Sequence, residues 1–291
     1  MKKILITGAT GFIGKNLKEL LEDKYEIYAP GHEELDLLDG VRVENYLKGK
    51  KFDNIIHCAN RNDVVKAETT DYNVLDDNLR MFFNLERCKN YYGKMYYFGS
   101  GAEYSAEHYI PDMTEDYFGT YVPKDPYGFS KYIMSKTCQN EGNIYDLRLF
   151  GVYGKYEEWP RRFISNAICR GLKGMPITIS QNVYFDYLWI EDLADIMIWF
   201  VENEPHYRHY NICRGTKIDL YSLASIVRET LGIDCDIVVA KEGLKKEYTG
   251  CNQRIRDEIG DIRFSEWRPT IEDLCEYYKA HIEEIDAGRL I

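Results

Sequence analysis

Tyr127 and Lys131 stand four residues apart in YGFSKYIMSKTCQ, a stretch whose pattern predicts a helix beginning near Pro126. Side chains at that spacing share a helix face. An ammonium so placed favours the phenolate and would draw the phenol down from ~10 towards neutrality. A phenol tuned in this way can give or take a proton at a hydroxyl or carbonyl oxygen. Taken alone, such a pair is far more often an ordinary surface couple, and among 25 tyrosines being a tyrosine proves nothing. Its company changes the balance. Ser100 closes a predicted strand upstream, and Gly8, Gly11 and Gly14 crowd the first turn of the chain.

Those glycines sit between an apolar run, KKILIT, and an amphipathic stretch, FIGKNLKELLEDK. Glycine is costly in regular structure because it loses the most backbone freedom on folding. A strand, a T-G-x-x-G-x-x-G turn and a helix together make a device for holding a pyrophosphate. The turn lets the backbone come close, and the helix N-terminus offers unpaired N–H groups at the positive end of its dipole. Gly14 would let the helix pack closely on the sheet. The motif predicts a dinucleotide site on Gly8, Thr10, Gly11, Phe12, Ile13 and Gly14.

KKILIT, YEIYA, FDNIIHCA and KMYYFGS read as strands. Helices fall between them, the last running from about Asn73 to Tyr92 with Leu75, Leu79, Phe82, Phe83 and Leu85 on one face. Strands alternating with helices call for parallel pairing, so the first half is a doubly wound α/β sheet. IYDLRLFGVYG predicts a further strand. Beyond Gly154, WPRRFISNAICRGLKG, IEDLADIMIWFVEN (Asp192 in its first turn) and DLYSLASIVRETLG predict helices, and ITIS a strand. We expect a dinucleotide-binding domain over residues 1–154 with a return contribution from about 185–205, and a smaller, mostly helical substrate region over 155–291.

Composition narrows the partners. The 291 residues carry 37 basic and 48 acidic side chains, a formal charge of −11. Such a chain repels nucleic acid and anionic membranes. No apolar run approaches the ~20 residues of a membrane span, and no signal-peptide core is present, so a cytoplasmic location is expected. The 8 cysteines form no C-x-x-C pair, so neither a metal site nor a disulfide framework is expected.

With these residues in place, the chain resembles the extended short-chain dehydrogenase/reductase family, the epimerases, dehydratases and reductases of nucleotide sugars. TGATGFIG matches that family's cofactor motif. The likeness continues in order through DLLD (36–39), IIHCA (55–59), Asn78, FGSGAEY (98–104), YGFSK (127–131), RLFGVYG (148–154) and FDYLWIEDLADI (185–196). The resemblance implies a Rossmann-type sheet, with Ser100 hydrogen-bonding the substrate oxygen that Tyr127 serves and Lys131 also holding the nicotinamide ribose. Asp39 would accept from the adenine amino group, although a carboxylate there is equally a helix cap. Leu38 and Ala59 fall on cofactor-binding positions. Asn78 would either position the cofactor-side helix or stand as a surface amide, and His57 reads as a core histidine.

NAD-preferring sites place an acid just after the second strand. Here Gly31 stands in its place, which leans the cofactor towards NADP over NAD, with His32 or Lys15 to help hold a 2′-phosphate and no arginine ready to clamp it. Dehydratases of the family carry Asp-Glu where this chain has Gly101-Ala102. The fucose-synthase branch, suggested by ELDLLD, uses a cysteine where Ala102 stands, and a downstream histidine absent between His108 and His206. The expected reaction is reduction of a 4-keto group on a nucleotide-activated sugar. The alternatives are a 4-epimerase with tightly held NAD and a non-catalytic dinucleotide sensor. Gly101 and Ala102 would line the substrate side, with Arg161, Arg162 or Arg148 taking the diphosphate. A homodimer is implied, through the helices starting at Asn73 and near Tyr127.

Overall fold

A computed structural model describes residues 1–61 and 73–290. In β1 (Lys3–Thr7), Ile4, Leu5 and Ile6 have no exposed surface. Successive strand side chains point to opposite faces, so Ile4 and Ile6 enter one core and Leu5 another. A strand apolar on both faces belongs to a sheet covered on both sides. The chain continues through α1 (Phe12–Leu21), β2 (Glu26–Tyr28), α2 (Gly40–Leu47), β3 (Phe52–His57), α3 (Asn73–Glu86), β4 (Tyr92–Ser100), α4 (Pro126–Cys138) and β5 (Ile144–Leu149). Ile56, Phe98 and Leu147 join the side of Ile4 under Leu17 and Leu21 of α1. Ile55, Met95 and Tyr97 join Leu5, beneath Val43 of α2, Phe82 of α3 and Met134 of α4. Each such burial contributes about 1.5–3 kcal/mol.

The second half holds β6 (Gly151–Tyr153), α5 (Phe163–Leu172), β7 (Ile177–Asn182), β8 (Tyr184–Phe185), β9 (Tyr187–Trp189), α6 (Ile190–Glu202) and β10 (His209–Ile212). After it come β11 (Ile218–Asp219), α7 (Leu220–Leu231), β12 (Ile237–Leu244), α8 (Gln253–Ile259) and α9 (Trp267–Ala280). Among the described residues the main sheet has six strands, all parallel, in the order β2-β1-β3-β4-β5-β10. The chain leaves β1 to one side for β2 and to the other for β3. That reversal opens a crevice outside the carboxyl ends of β1 and β3.

Some expectations need correction. HYNI, which the sequence pattern does not single out, forms β10, with the polar Asn211 satisfied inside by Tyr104 Oη donating at 2.6 Å and by its own Nδ2 donating to Met113 O at 2.8 Å. The half after Gly154 holds more strand than its helical pattern implies: β7 pairs with β12, β8 with β11, and β9 with β6 from just before Gly154. In α3 the buried residues are Val74, Asp77, Asn78, Phe82 and Leu85, while Leu75, Leu79 and Phe83 are half-buried. No described helix is long and apolar enough to cross a membrane.

Candidate active site

The glycine turn caps the crevice. Gly8 has φ +67, and a Cβ there would stand 2.6 Å from the Ala59 nitrogen, so the end of β1 and the exit of β3 touch through backbone. A Cβ at Gly14 would overlap the Gly8 carbonyl, which brings α1 down onto the turn. Gly11 is different. Its Cβ would meet only Gly8 O, at 3.4 Å, and it heads α1 without any side-chain cap on the first-turn N–H groups. An open cradle over uncapped helix donors fits a pyrophosphate. Thr10 is exposed at this mouth, with Phe12 and Ile13 half-buried behind it.

The flanking residues separate. Asn78 is buried and bonds Arg61 twice, accepting from its N–H at 2.8 Å and donating to its carbonyl at 3.0 Å. It therefore ties α3 to the loop leaving β3, and the surface-amide reading falls. Asp39 Oδ1 caps α2, accepting from Val41 and Arg42 N–H at 3.0 Å each. The backbone of Leu38 is held by Asp36 and Arg80. His32 is exposed and stands 3.5 Å from Asp36. Lys15 instead lies over the Tyr156 ring, 3.6 Å from its centroid. Arg42 reaches the turn after β2, its Nη1 donating to Glu33 O at 3.2 Å.

Ser100, Tyr127 and Lys131 come together at the carboxyl end of β4. Asp125 caps α4 by accepting from Gly128 N–H at 2.7 Å, and Pro126 opens its first turn. A Cβ on Gly128 would lie 3.0 Å from Ala102 O, so the helix start sits directly on the turn after Ser100. Ser100 Oγ accepts from Ala102 N–H at 3.1 Å. The Ser100 hydroxyl also works against the burial-driven rise of two neighbouring phenols, Tyr127 and Tyr248. Lys131 is buried behind Tyr127, with Nζ donating to Phe98 O at 2.7 Å and lying 5.7 Å from the Tyr127 ring centroid.

This geometry overturns the expected tuning. Burial pushes the Tyr127 phenol up rather than down, opposed by the Ser100 hydroxyl and the Arg162 charge. Lys131 spends its ammonium on the Phe98 carbonyl and is itself lowered by burial to about 8, with Glu103 and Asp146 working the other way. His57 is a core histidine, as expected. It shares a 2.7 Å hydrogen bond with Thr7 Oγ1 and is lowered to about 3, by burial first and then by Lys131. The free protein thus holds a protonated phenol beside a serine hydroxyl.

The family model for the NAD dependent epimerase/dehydratase family matches residues 4–213, from β1 through β10. The chain belongs to that family. A GDP-L-colitose synthase from Yersinia pseudotuberculosis is 25% identical over 95% of this chain and 97% of its own. Among solved structures, a GDP-L-fucose synthetase from Naegleria fowleri bound to NADP superposes with a TM-score of 0.83 at 15% identity, over 97% of this chain and 94% of that one. A GDP-mannoheptose C4 reductase from Campylobacter jejuni with NADP bound gives 0.79 at 20% identity, over 96% and 98%.

In this member of the NAD dependent epimerase/dehydratase family, the three arginines take different places. Arg162 lies close enough to act on Tyr127, Glu157 and Tyr187. Arg161 turns to Glu158 at 3.1 Å. Arg148 is wholly buried against Glu103 and Asp146, so it cannot take a diphosphate. Two residues escaped the sequence reading. Tyr248 arrives from more than a hundred residues away, packed on Phe150, Phe185 and Tyr109, and a Cβ on Gly101 would stand 2.5 Å from its hydroxyl. Nothing local announces it. Glu103 was legible: Ser100-x-x-Glu103 has capping-box spacing, and the structure forms that box.

Proposed function

We propose that the chain is an NADPH-dependent reductase of a 4-keto group on a nucleotide-linked sugar, with Tyr127 as proton donor. The carrying observation is the convergence of Ser100, Tyr127 and Lys131 at the carboxyl end of β4, with burial favouring the protonated phenol. Reduction of a ketone needs a proton donor at the oxygen, whereas opening an epimerisation by oxidising an alcohol needs a base there. A bound nicotinamide supplies hydride, and Gly8, Gly11, Gly14 and Lys131 are the groups to hold that cofactor. NADP is favoured by the missing acid at Gly31, where nothing stands within 4 Å of an added Cβ, and by Arg42 over the same turn. Ala102 and the engagement of the two histidines argue against base-driven epimerisation: His108 is stacked on Tyr121, and His206 is paired with Glu258. The GDP-linked substrates in the names of the relatives support a GDP-sugar, with Arg162 as the diphosphate's partner. A homodimer through the outer faces of α3 and α4 belongs to the same reading. The test is NADPH consumption with a panel of nucleotide-linked 4-keto sugars, against the alternative of a tightly co-purifying NAD.

The positions around the phenol yield two expectations. Turnover should fall as pH rises through about 8, since Lys131 loses its charge there. The sign follows from burial, which lowers a lysine and so brings the neutral form within reach of mild alkali. A kcat/KM profile showing no alkaline limb near that pH would contradict it. Gly101→Ala should displace the Tyr248 ring and lower kcat about 10-fold through misplacement at Ser100, with NADPH affinity unchanged in a fluorescence titration.

A further inference from the structure

Behind Ser100 lies a charged cluster with no exposed side-chain surface. Arg148 Nε donates to Glu103 Oε2 at 2.7 Å and lies 2.9 Å from Asp146 Oδ2, so two carboxyl groups converge on one guanidinium nitrogen. Arg148 Nη2 donates to Ser135 Oγ at 2.9 Å, and that hydroxyl donates to Asp146 Oδ2 at 2.6 Å. The other Glu103 oxygen, Oε1, accepts from the Ser100 backbone N–H at 2.9 Å. A Cβ on Gly99 would overlap both Glu103 Oε1 and Asp146 Oδ1, so the glycine makes room for the two acids at the serine's doorstep.

Two acids against one arginine is a costly way to gain stability, because desolvation cancels much of the attraction. Burial raises both carboxyl groups, and Arg148 opposes it. Asp146 Oδ1, buried with no hydrogen-bond partner, lies beside Glu103 Oε1 at Gly99. What the cluster does achieve is a rigid link from β5 and α4 to the backbone of the reacting serine. Resting on the reductase reading above, we propose that Glu103 is a positioning residue: anchored on Arg148 and Asp146, its carboxyl group holds the Ser100 N–H and thereby fixes the serine hydroxyl against Tyr127.

The test compares Glu103→Ala, made in the wild-type chain and again in Ser100→Ala, with the shape-conserving Glu103→Gln. Asp146 remains to balance Arg148 in each, so the variants should fold. Glu103→Ala should lower kcat roughly 10- to 100-fold with KM for NADPH little changed, and Glu103→Gln, which keeps an acceptor, should recover part of the loss. In the Ser100→Ala background the same change should cost no more than about twofold, since residues acting through one another are not additive. Equal losses in both backgrounds, or no loss in either, would overturn the proposal. A second readout needs no turnover. In protein labelled with nitrogen-15 serine, the Ser100 amide proton, identified by its absence in Ser100→Ala, should move upfield in Glu103→Ala. An unmoved signal overturns the link. If the wild type reduces no nucleotide-linked ketone while the signal moves, the reductase reading fails and the Glu103–Ser100 link stands.

Discussion

Tyr127→Phe is expected to lower kcat about 10³-fold, the range in which a general acid acts, while leaving NADPH affinity within a few-fold of wild type. The ring is half-buried on the first turn of α4, and phenylalanine fills the same space, so only the hydroxyl is lost. The deleted atom is the hydroxyl proposed as proton donor, which burial pushes up and the Ser100 hydroxyl pulls the other way. Stopped-flow kinetics with an NADPH titration on the same sample separates the two effects. Unchanged turnover would remove Tyr127 from the mechanism, and a loss of cofactor binding in proportion would make it a cofactor contact alone.

Gly11→Val should cut NADPH affinity at least about 100-fold, or ~2.8 kcal/mol, while the free protein melts within a few degrees of wild type. The backbone at Gly11 has φ −84, a conformation any residue adopts, and its Cβ would find open space beyond Gly8 O. The added side chain stands in the cradle above the uncapped donors of α1. Gly14→Ala should behave differently, because its Cβ runs into the Gly8 carbonyl itself. There the melting temperature falls together with affinity, since α1 must lift off the turn. Calorimetric melting and fluorescence titration on both variants distinguish a cradle from a packing contact. Equal destabilisation by the two would contradict the division of labour among these glycines.

What the sequence disclosed was whatever rests on local pattern. Ile4, Leu5 and Ile6 in a row announce a strand buried on both faces, and the glycine spacing announces the turn after it. Ser100, Tyr127 and Lys131 could be named because motif order carried them. The tuning of Tyr127 could not be read, because it depends on where Lys131 points, and Lys131 points at the Phe98 carbonyl. Asp39 left two roles open until the α2 N–H groups were seen to take its carboxylate. β10 was hidden because Asn211 looks like a surface residue until Tyr104 is placed against it. Tyr248 reaches Ser100 only through tertiary packing, and no spacing rule joins residues that far apart. Arg148 sat in a recognisable segment, yet its burial against Glu103 and Asp146 is a property of β5 meeting the turn that follows β4.

The central claim is that hydride goes to the ketone once and stays there while Tyr127 delivers the proton. It is tested most directly by supplying NADPH deuterated at the transferring position of its nicotinamide C4 with a GDP-linked 4-keto sugar. The account predicts one deuterium at the sugar C4 for each NADP released, and incorporation about 10³-fold slower when Tyr127→Phe replaces the wild type. Stereochemical inversion at C4 without net NADPH consumption, and without deuterium in the product, would contradict it.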